Sequence, residues 1–145
     1  MNRYRLAWLA LVFLPIAFAA VDEDGFVRIM PEEIDWPESD GQSITAVVLA
    51  GDPEQEGFYL LRAKFPPGVM SPPHYHASAR HVTVISGTWH TGTGPEFDRD
   101  NMIPLQPGSY MMHPARAVHY DGSKDGEVIV EIKGIGPAPT ILVDQ

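Results

Sequence analysis

Pro72-Pro73-His74-Tyr75-His76 sets two imidazoles one residue apart. In an extended strand, residues i and i+2 leave the same face with Cα atoms about 6.5–7 Å apart, so His74 and His76 can converge on one ion while Tyr75 faces away. Neutral imidazole is a good ligand for Fe, Ni, Cu and Zn, and two or three of them can hold such an ion with coordination positions left open. A lone His-x-His pair is equally at home on a hydrated strand face, so the chemistry depends on further donors. His81, His90, His113 and His119 are the remaining histidines.

The elements that must position these groups are short. Ile44–Leu49, Phe58–Phe65, Met70–His76, Val82–Ser86, Thr88–Thr91, Met102–Leu105, Ser109–Met112, Ala117–Tyr120 and Glu127–Lys133 each fit a strand, and Pro139–Val143 fits a terminal one. Gly87, Gly92-Thr93-Gly94-Pro95, Pro107-Gly108, Pro114, Asp121-Gly122 and 134–137 mark the breaks. Fourteen prolines and thirteen glycines leave no stretch for a long amphipathic helix. Many short strands with close turns predict an all-β sandwich or barrel. Residues 20–43 form an acidic, irregular lead-in with room for a first strand, and one domain follows over residues 44–145.

Gly68-x5-His74-x-His76 with Gly87, followed by Gly108-x5-Pro114-x4-His119, resembles the two-part motif of the cupin superfamily. The motifs span residues 68–123, and the strand pattern carries the resemblance over most of the chain. It implies a cupin jelly-roll β-barrel with a divalent metal, Fe, Ni, Zn, Mn or Cu undistinguished, held by His74, His76 and His119. It also implies a homodimer built through an outer sheet face, to which Thr83 and Ile85 would contribute.

The departures from the motif bear on the chemistry. Counting back from Gly87, the family's glutamate position holds Arg80, whose guanidinium offers donors only. A spacer longer by one residue would place His81 there instead, so His81 is a further candidate ligand. If Arg80 keeps the family register, Val82 and Val84 point inward with it; if His81 does, Thr83 and Ile85 follow it in. Two valines make the better core pair, while a bulge between His81 and Val82 would satisfy both arrangements. Arg80 is expected at the surface or at a strand start; its alternative is a pocket position beside the metal, paired with a carboxylate or an anionic substrate. Arg116 replaces the motif glycine after Pro114 and is expected to alter that turn, and Ser123 replaces the usual asparagine. His113 and His90 are expected to be structural.

Met70 and Met112 flank the motif and are further pocket candidates. Together with Met111 they raise the question of copper, although soft core filling is the commoner use of methionine. Tyr75 and Tyr120 neighbour candidate ligands in sequence and should pack on the opposite face. Phe58, Tyr59, Trp89, Phe97 and Tyr110 suit either a pocket lining or a sheet interface. Gly134-Ile135-Gly136-Pro137 lacks the spacing and the Lys-Ser/Thr ending of a phosphate loop, and no Gly-x-Ser-x-Gly nucleophile elbow occurs.

Residues 1–19 read as a secretory signal peptide. Arg3 and Arg5 precede a 13-residue apolar run, Leu6–Phe18, and Ala17-Phe18-Ala19 supplies a small-x-small ending, with cleavage before Ala20 or Val21. The run is shorter than the roughly 20 residues a membrane span needs. The protein is therefore expected in the periplasm or outside the cell, with no stable membrane insertion after cleavage. Losing two arginines and no acid would take the formal charge from −9 to −11, which opposes nucleic-acid binding. The absence of cysteine excludes disulfides, thiolate ligands and a thiol nucleophile. The functional expectation is a metal-dependent oxygenase or isomerase acting on a small anionic compound. The alternatives are a non-enzymatic ligand- or metal-binding cupin and a barrel with a vestigial site.

Overall fold

The computed structural model describes residues 21–143, so the signal-peptide expectation lies outside the described residues. The chain enters through an isolated bridge between Val21 and Val27 and one 3-10 turn at Pro31–Glu33. Ten strands follow: β1 Thr45–Gly51, β2 Gly57–Phe65, β3 His74–His76, β4 Arg80–Ser86, β5 Trp89–Thr93, β6 Ile103–Leu105, β7 Tyr110–His113, β8 His119–Gly122, β9 Val128–Gly136 and β10 Thr140–Leu142. They form two five-stranded antiparallel sheets, ordered β1-β2-β9-β4-β7 and β10-β3-β8-β5-β6. This is the all-β architecture that the strand pattern predicts, in the jelly-roll form that the cupin resemblance implies. No helix among the described residues is long and apolar enough to cross a membrane.

Alternation explains the core. On β2, Tyr59, Leu61, Ala63 and Phe65 are buried at every second position, and on β9 Val128 and Val130 do the same. Val82 and Val84 complete this layer from β4, and Trp89 meets it from the facing sheet. Burying a side chain of valine or leucine size is worth about 1.5–3 kcal/mol, so this layer fixes each strand's register: a slip of one residue would turn the whole set outward.

That register decides the competition between Arg80 and His81. Val82 and Val84 face in, so Arg80 faces in with them and His81 faces out. The irregularity of β4 lies between Val84 and Ser86, not between His81 and Val82, and so cannot rotate His81 inward. Outside the barrel, the His81 ring stacks on Tyr110 and its Nδ1 lies 2.7 Å from the phenolic oxygen. Met112 pairs with His81 across β4 and β7, shares that outward face and is 42% exposed, so it is not a pocket residue; its neighbour Met111 packs against the core instead.

Three further expectations change. The strand expected from Met70 begins only at His74, because Pro72 and Pro73 cannot donate to a ladder, and Met70 makes one isolated bridge to Gly122. Asp121-Gly122, read as a break, continues β8. The turn at Arg116 is kept rather than altered. Arg116 adopts the left-handed conformation, φ 63°, that a glycine would take freely, and its N–H donates to the His76 carbonyl at 2.8 Å.

Candidate metal centre

Three short strand segments bring the histidines together. β3 pairs with β8 so that His74 stands directly opposite His119, and β10 lies along the other edge of β3 with Thr140 opposite His76. All three imidazoles are buried, His76 at 2% exposure. Ring centroids lie 4.9 Å apart for His74–His76, 4.4 Å for His74–His119 and 5.3 Å for His76–His119. One nitrogen from each falls within 4.8 Å of the other two.

The backbone selects which nitrogen that is. His74 Nδ1 lies 2.7 Å from the Pro72 carbonyl, His76 Nδ1 3.2 Å from the Pro139 carbonyl and His119 Nδ1 2.9 Å from the Ala117 carbonyl. A carbonyl only accepts, so each Nδ1 carries the hydrogen and each Nε2 is left with its lone pair. Carbonyl contacts of this kind orient imidazoles that ligate metals. His119 Nε2 is fully buried with no hydrogen-bond partner, an arrangement that a cation would satisfy and that is otherwise costly. The residues therefore fit a divalent ion.

Electrostatics point the same way. Burial lowers the pKa of His74, and the Arg80 guanidinium lowers it further. His76 is pushed down to about 2 by burial, then by Arg80 and the neighbouring rings. Both shifts favour the neutral form that a metal ligand must have.

Two buried groups join this centre that the sequence reading did not assign to it. His113, expected to be structural, is 4% exposed, with its ring 3.7 Å from that of His119 and neither nitrogen hydrogen-bonded. Burial, followed by the adjacent rings and Arg80, holds its pKa down at about 2. Asp121, two residues beyond His119 on the same face of β8, is also buried. The Ser71 hydroxyl lies 3.0 Å from its Oδ1, and its Oδ2 is 3.9 Å from His119 Nε2. Burial raises the Asp121 pKa, opposed first by His119 and then by Ser71 and Arg80. Donor atoms of His113, His119 and Asp121 also lie within 4.8 Å of one another, so His119 is shared between two groups. The signal for Asp121 was the His-x-Asp spacing of β8, hidden by reading Asp121-Gly122 as a turn.

Arg80 opens β4, the strand-start position expected of it, but its side chain turns inward rather than to the surface. One Nη donates to the Ala138 carbonyl at 2.7 Å, the guanidinium carbon lies 6.0 Å from the Tyr59 ring centroid, and Nε is buried without a partner. Tyr59 is fully buried and its hydroxyl makes no aligned hydrogen bond. The other candidates lie elsewhere. Met70 is half-buried and, with Gly68, Pro72, Pro73, Phe97 and Arg99, lines an open depression of about 290 Å³. Tyr120 packs on the opposite face of β8, edge to face with Phe97 at 5.1 Å, and it fills the space a side chain at Gly92 would need. Ser123 is buried, with its hydroxyl donating to the Gly126 carbonyl.

Solved structures share this architecture. The polyketide cyclase RemF from Streptomyces resistomycificus aligns at a TM-score of 0.65 and 17% identity over 81% of this chain and 85% of its own. A protein with a double-stranded β-helix domain from Klebsiella pneumoniae aligns at 0.61 and 21%, over 81% and 98%. The DMSP lyase DddQ from Ruegeria pomeroyi aligns at 0.60 and 15%, over 80% of this chain and 59% of its own. At these identities the likeness establishes the fold. No curated protein matches the sequence. The model of the ChrR cupin-like domain matches residues 24–134, three-quarters of the sequence and both halves of the histidine motif, and the chain belongs to that family within the cupins.

Proposed function

We propose that this protein is an exported, metal-dependent cupin enzyme that oxidises or isomerises a small anionic compound at a divalent centre held by His74, His76 and His119. The observation that carries the proposal is the set of three Nδ1-to-carbonyl contacts, which leave three Nε2 lone pairs on imidazoles whose donor atoms lie within 4.8 Å of one another. A bound divalent ion would supply Lewis acidity, or redox chemistry if it is iron. The chain's own residues supply the rest. The buried rings and the Val82–Val84 layer limit water, while Arg80, with Nε unspent, offers a fixed positive charge to an anionic group. RemF is a polyketide cyclase and DddQ a DMSP lyase, which supports reading this barrel as an enzyme scaffold without assigning the reaction. Export rests on the basic-apolar-small pattern of residues 1–19. A homodimer through the outer face carrying Thr83 and Ile85 belongs to the same proposal.

Metal analysis of protein recovered from the exported compartment tests the centre. Wild type should carry one ion per chain and His76→Ala should carry almost none; equal metal in the two overturns the ligand set. The N-terminal sequence of the same preparation should begin at Ala20 or Val21, and an intact Met1 would refute cleavage. Its mass in solution should be that of two chains.

A further inference from the structure

One rung of the larger-cored sheet crosses four strands and faces the barrel interior. Tyr59 on β2 stands opposite Gly134 on β9, Gly134 opposite Arg80 on β4, and Arg80 opposite His113 on β7. Each of the three side chains on this rung carries a buried polar atom without a hydrogen-bond partner: the Tyr59 hydroxyl, Arg80 Nε and both His113 nitrogens. We propose that Tyr59 and Arg80 form a carboxylate-binding pair, and that the centre takes a small acid whose carboxylate sits on this pair and whose second oxygen function faces the ion. The second half of the inference rests on the three-histidine reading; the carboxylate pair stands on the rung alone.

Gly134 is what brings the two donors together. A Cβ there would lie 2.9 Å from the Tyr59 hydroxyl oxygen, so the phenol reaches across β9 toward β4, and the Arg80 guanidinium carbon stands 6.0 Å from its ring centroid. Both side chains are fixed in place. Tyr59 is fully buried in the core layer, and one Arg80 Nη is committed to the Ala138 carbonyl, which leaves Nε–H to be satisfied. A guanidinium drawn out of water also needs a counter-charge. Among the described residues no carboxylate forms an ion pair with Arg80, and Asp121 acts on it only from beyond that distance. A carboxylate has two acceptor oxygens, so one can take Nε–H and the other the phenolic O–H, and its charge balances the guanidinium.

The rung meets the metal centre at its far end, where the His113 ring lies 3.7 Å from that of His119. The Arg80 charge reaches His74, His76 and His119, whose protonation it opposes. A short acid anchored on the rung therefore has its other end beside the histidines, and an acid with a single oxygen function is held at one end only.

Calorimetric titration of malonate into Zn(II)-loaded wild type and Tyr59→Phe tests the pair, with metal content read on the same samples. Tyr59→Phe removes one oxygen and keeps the ring, so it should weaken malonate about tenfold while holding as much zinc as wild type. If a water molecule is what the two donors share, Tyr59→Phe will bind malonate as tightly as wild type. That result, in a variant with its full complement of zinc, overturns the pair and leaves the three-histidine centre standing. A wild type that takes up no zinc overturns the centre instead. The pair is then tested in metal-free protein with acetate, which Tyr59→Phe should again bind about tenfold more weakly; equal affinities refute it. If Tyr59→Phe does not fold, NMR of wild type decides. The Arg80 Nε–H resonance should shift on saturation with malonate, or with acetate in metal-free protein, and a resonance that stays in place refutes the contact.

Discussion

Arg80 places a positive charge where related motifs place a negative one, and the surrounding groups respond. The guanidinium depresses the pKa of His74, His76 and His113 on top of the larger effect of burial. A charge that repels protons also repels a divalent cation and attracts an anion. Arg80→Met, which keeps the length and removes the charge, should therefore shift two affinities in opposite directions. Divalent-metal affinity should rise about tenfold, about 1.4 kcal/mol, while affinity for a small carboxylate such as malonate should fall by a comparable factor. Calorimetric titration with each ligand checks both, and parallel changes would contradict an anion-anchoring role. At this scale the sequence was informative where the side-chain period is strict. His74 and His76 share a face because they are two apart, and Val82 with Val84 decided between Arg80 and His81. It was uninformative for His113 and Asp121, because an acid before a glycine looks like a turn and a histidine before a proline looks like a strand end. Met112 misled for a related reason. Two adjacent methionines must face opposite ways, and sequence alone did not say that Met111 takes the inner place.

Each strand places few groups, so the site depends on the joints between strands. Gly87 turns the chain from β4 into β5 with φ 75°, and a Cβ there would lie 2.3 Å from the Glu127 carbonyl oxygen. Gly87→Ala must pay for both the left-handed backbone and the contact with β9, so it should destabilise the protein by about 2–4 kcal/mol in denaturant unfolding. Because this joint sets β4 against β9, the variant should also loosen the metal, whereas a loss of stability without any change in metal affinity would separate the joint from the site. Arg116 is the converse case. There the same backbone conformation is held by a residue that adopts it at a cost, and its N–H bond to the His76 carbonyl explains why the turn is retained. The positions of the strands were legible from alternation and from glycine and proline. Their ends were less so: β9 runs on through Gly134 to Gly136, past an expected break, because its full length pairs with β2 from Phe65 back to Gly57. Pairing partners distant in sequence set those ends, and local turn signals do not report them.

Across the whole molecule four imidazoles, those of His74, His76, His113 and His119, are buried, and this links its stability to pH. In the unfolded chain each histidine titrates near 6.5, whereas in the fold His76 and His113 are held down at about 2 and His74 and His119 are also lowered. Below pH 6.5 the unfolded state therefore takes up protons that the folded state refuses. The stability of metal-free protein is fully present above that value and is lost as pH falls toward 2. Each such histidine contributes about 1.4 kcal/mol per pH unit within the window. Asp121, whose pKa is raised in the fold, acts with the opposite sign but is one group against four. Urea unfolding of metal-free protein should show stability falling steeply from pH 7 to 5, with His113→Ala flattening the slope; a flat wild-type profile would contradict neutral burial. β10 supplies a last consequence. The Ala138 and Pro139 carbonyls that anchor Arg80 and His76 come just before β10, which lies along β3, and all of these residues are translated after every histidine and after Asp121. A growing chain thus contains all its imidazoles before it has the carbonyl that aims His76. Where residues 1–19 direct the chain across a membrane, the ion would be taken from the far side, and the compartment of arrival, rather than that of synthesis, would choose the metal.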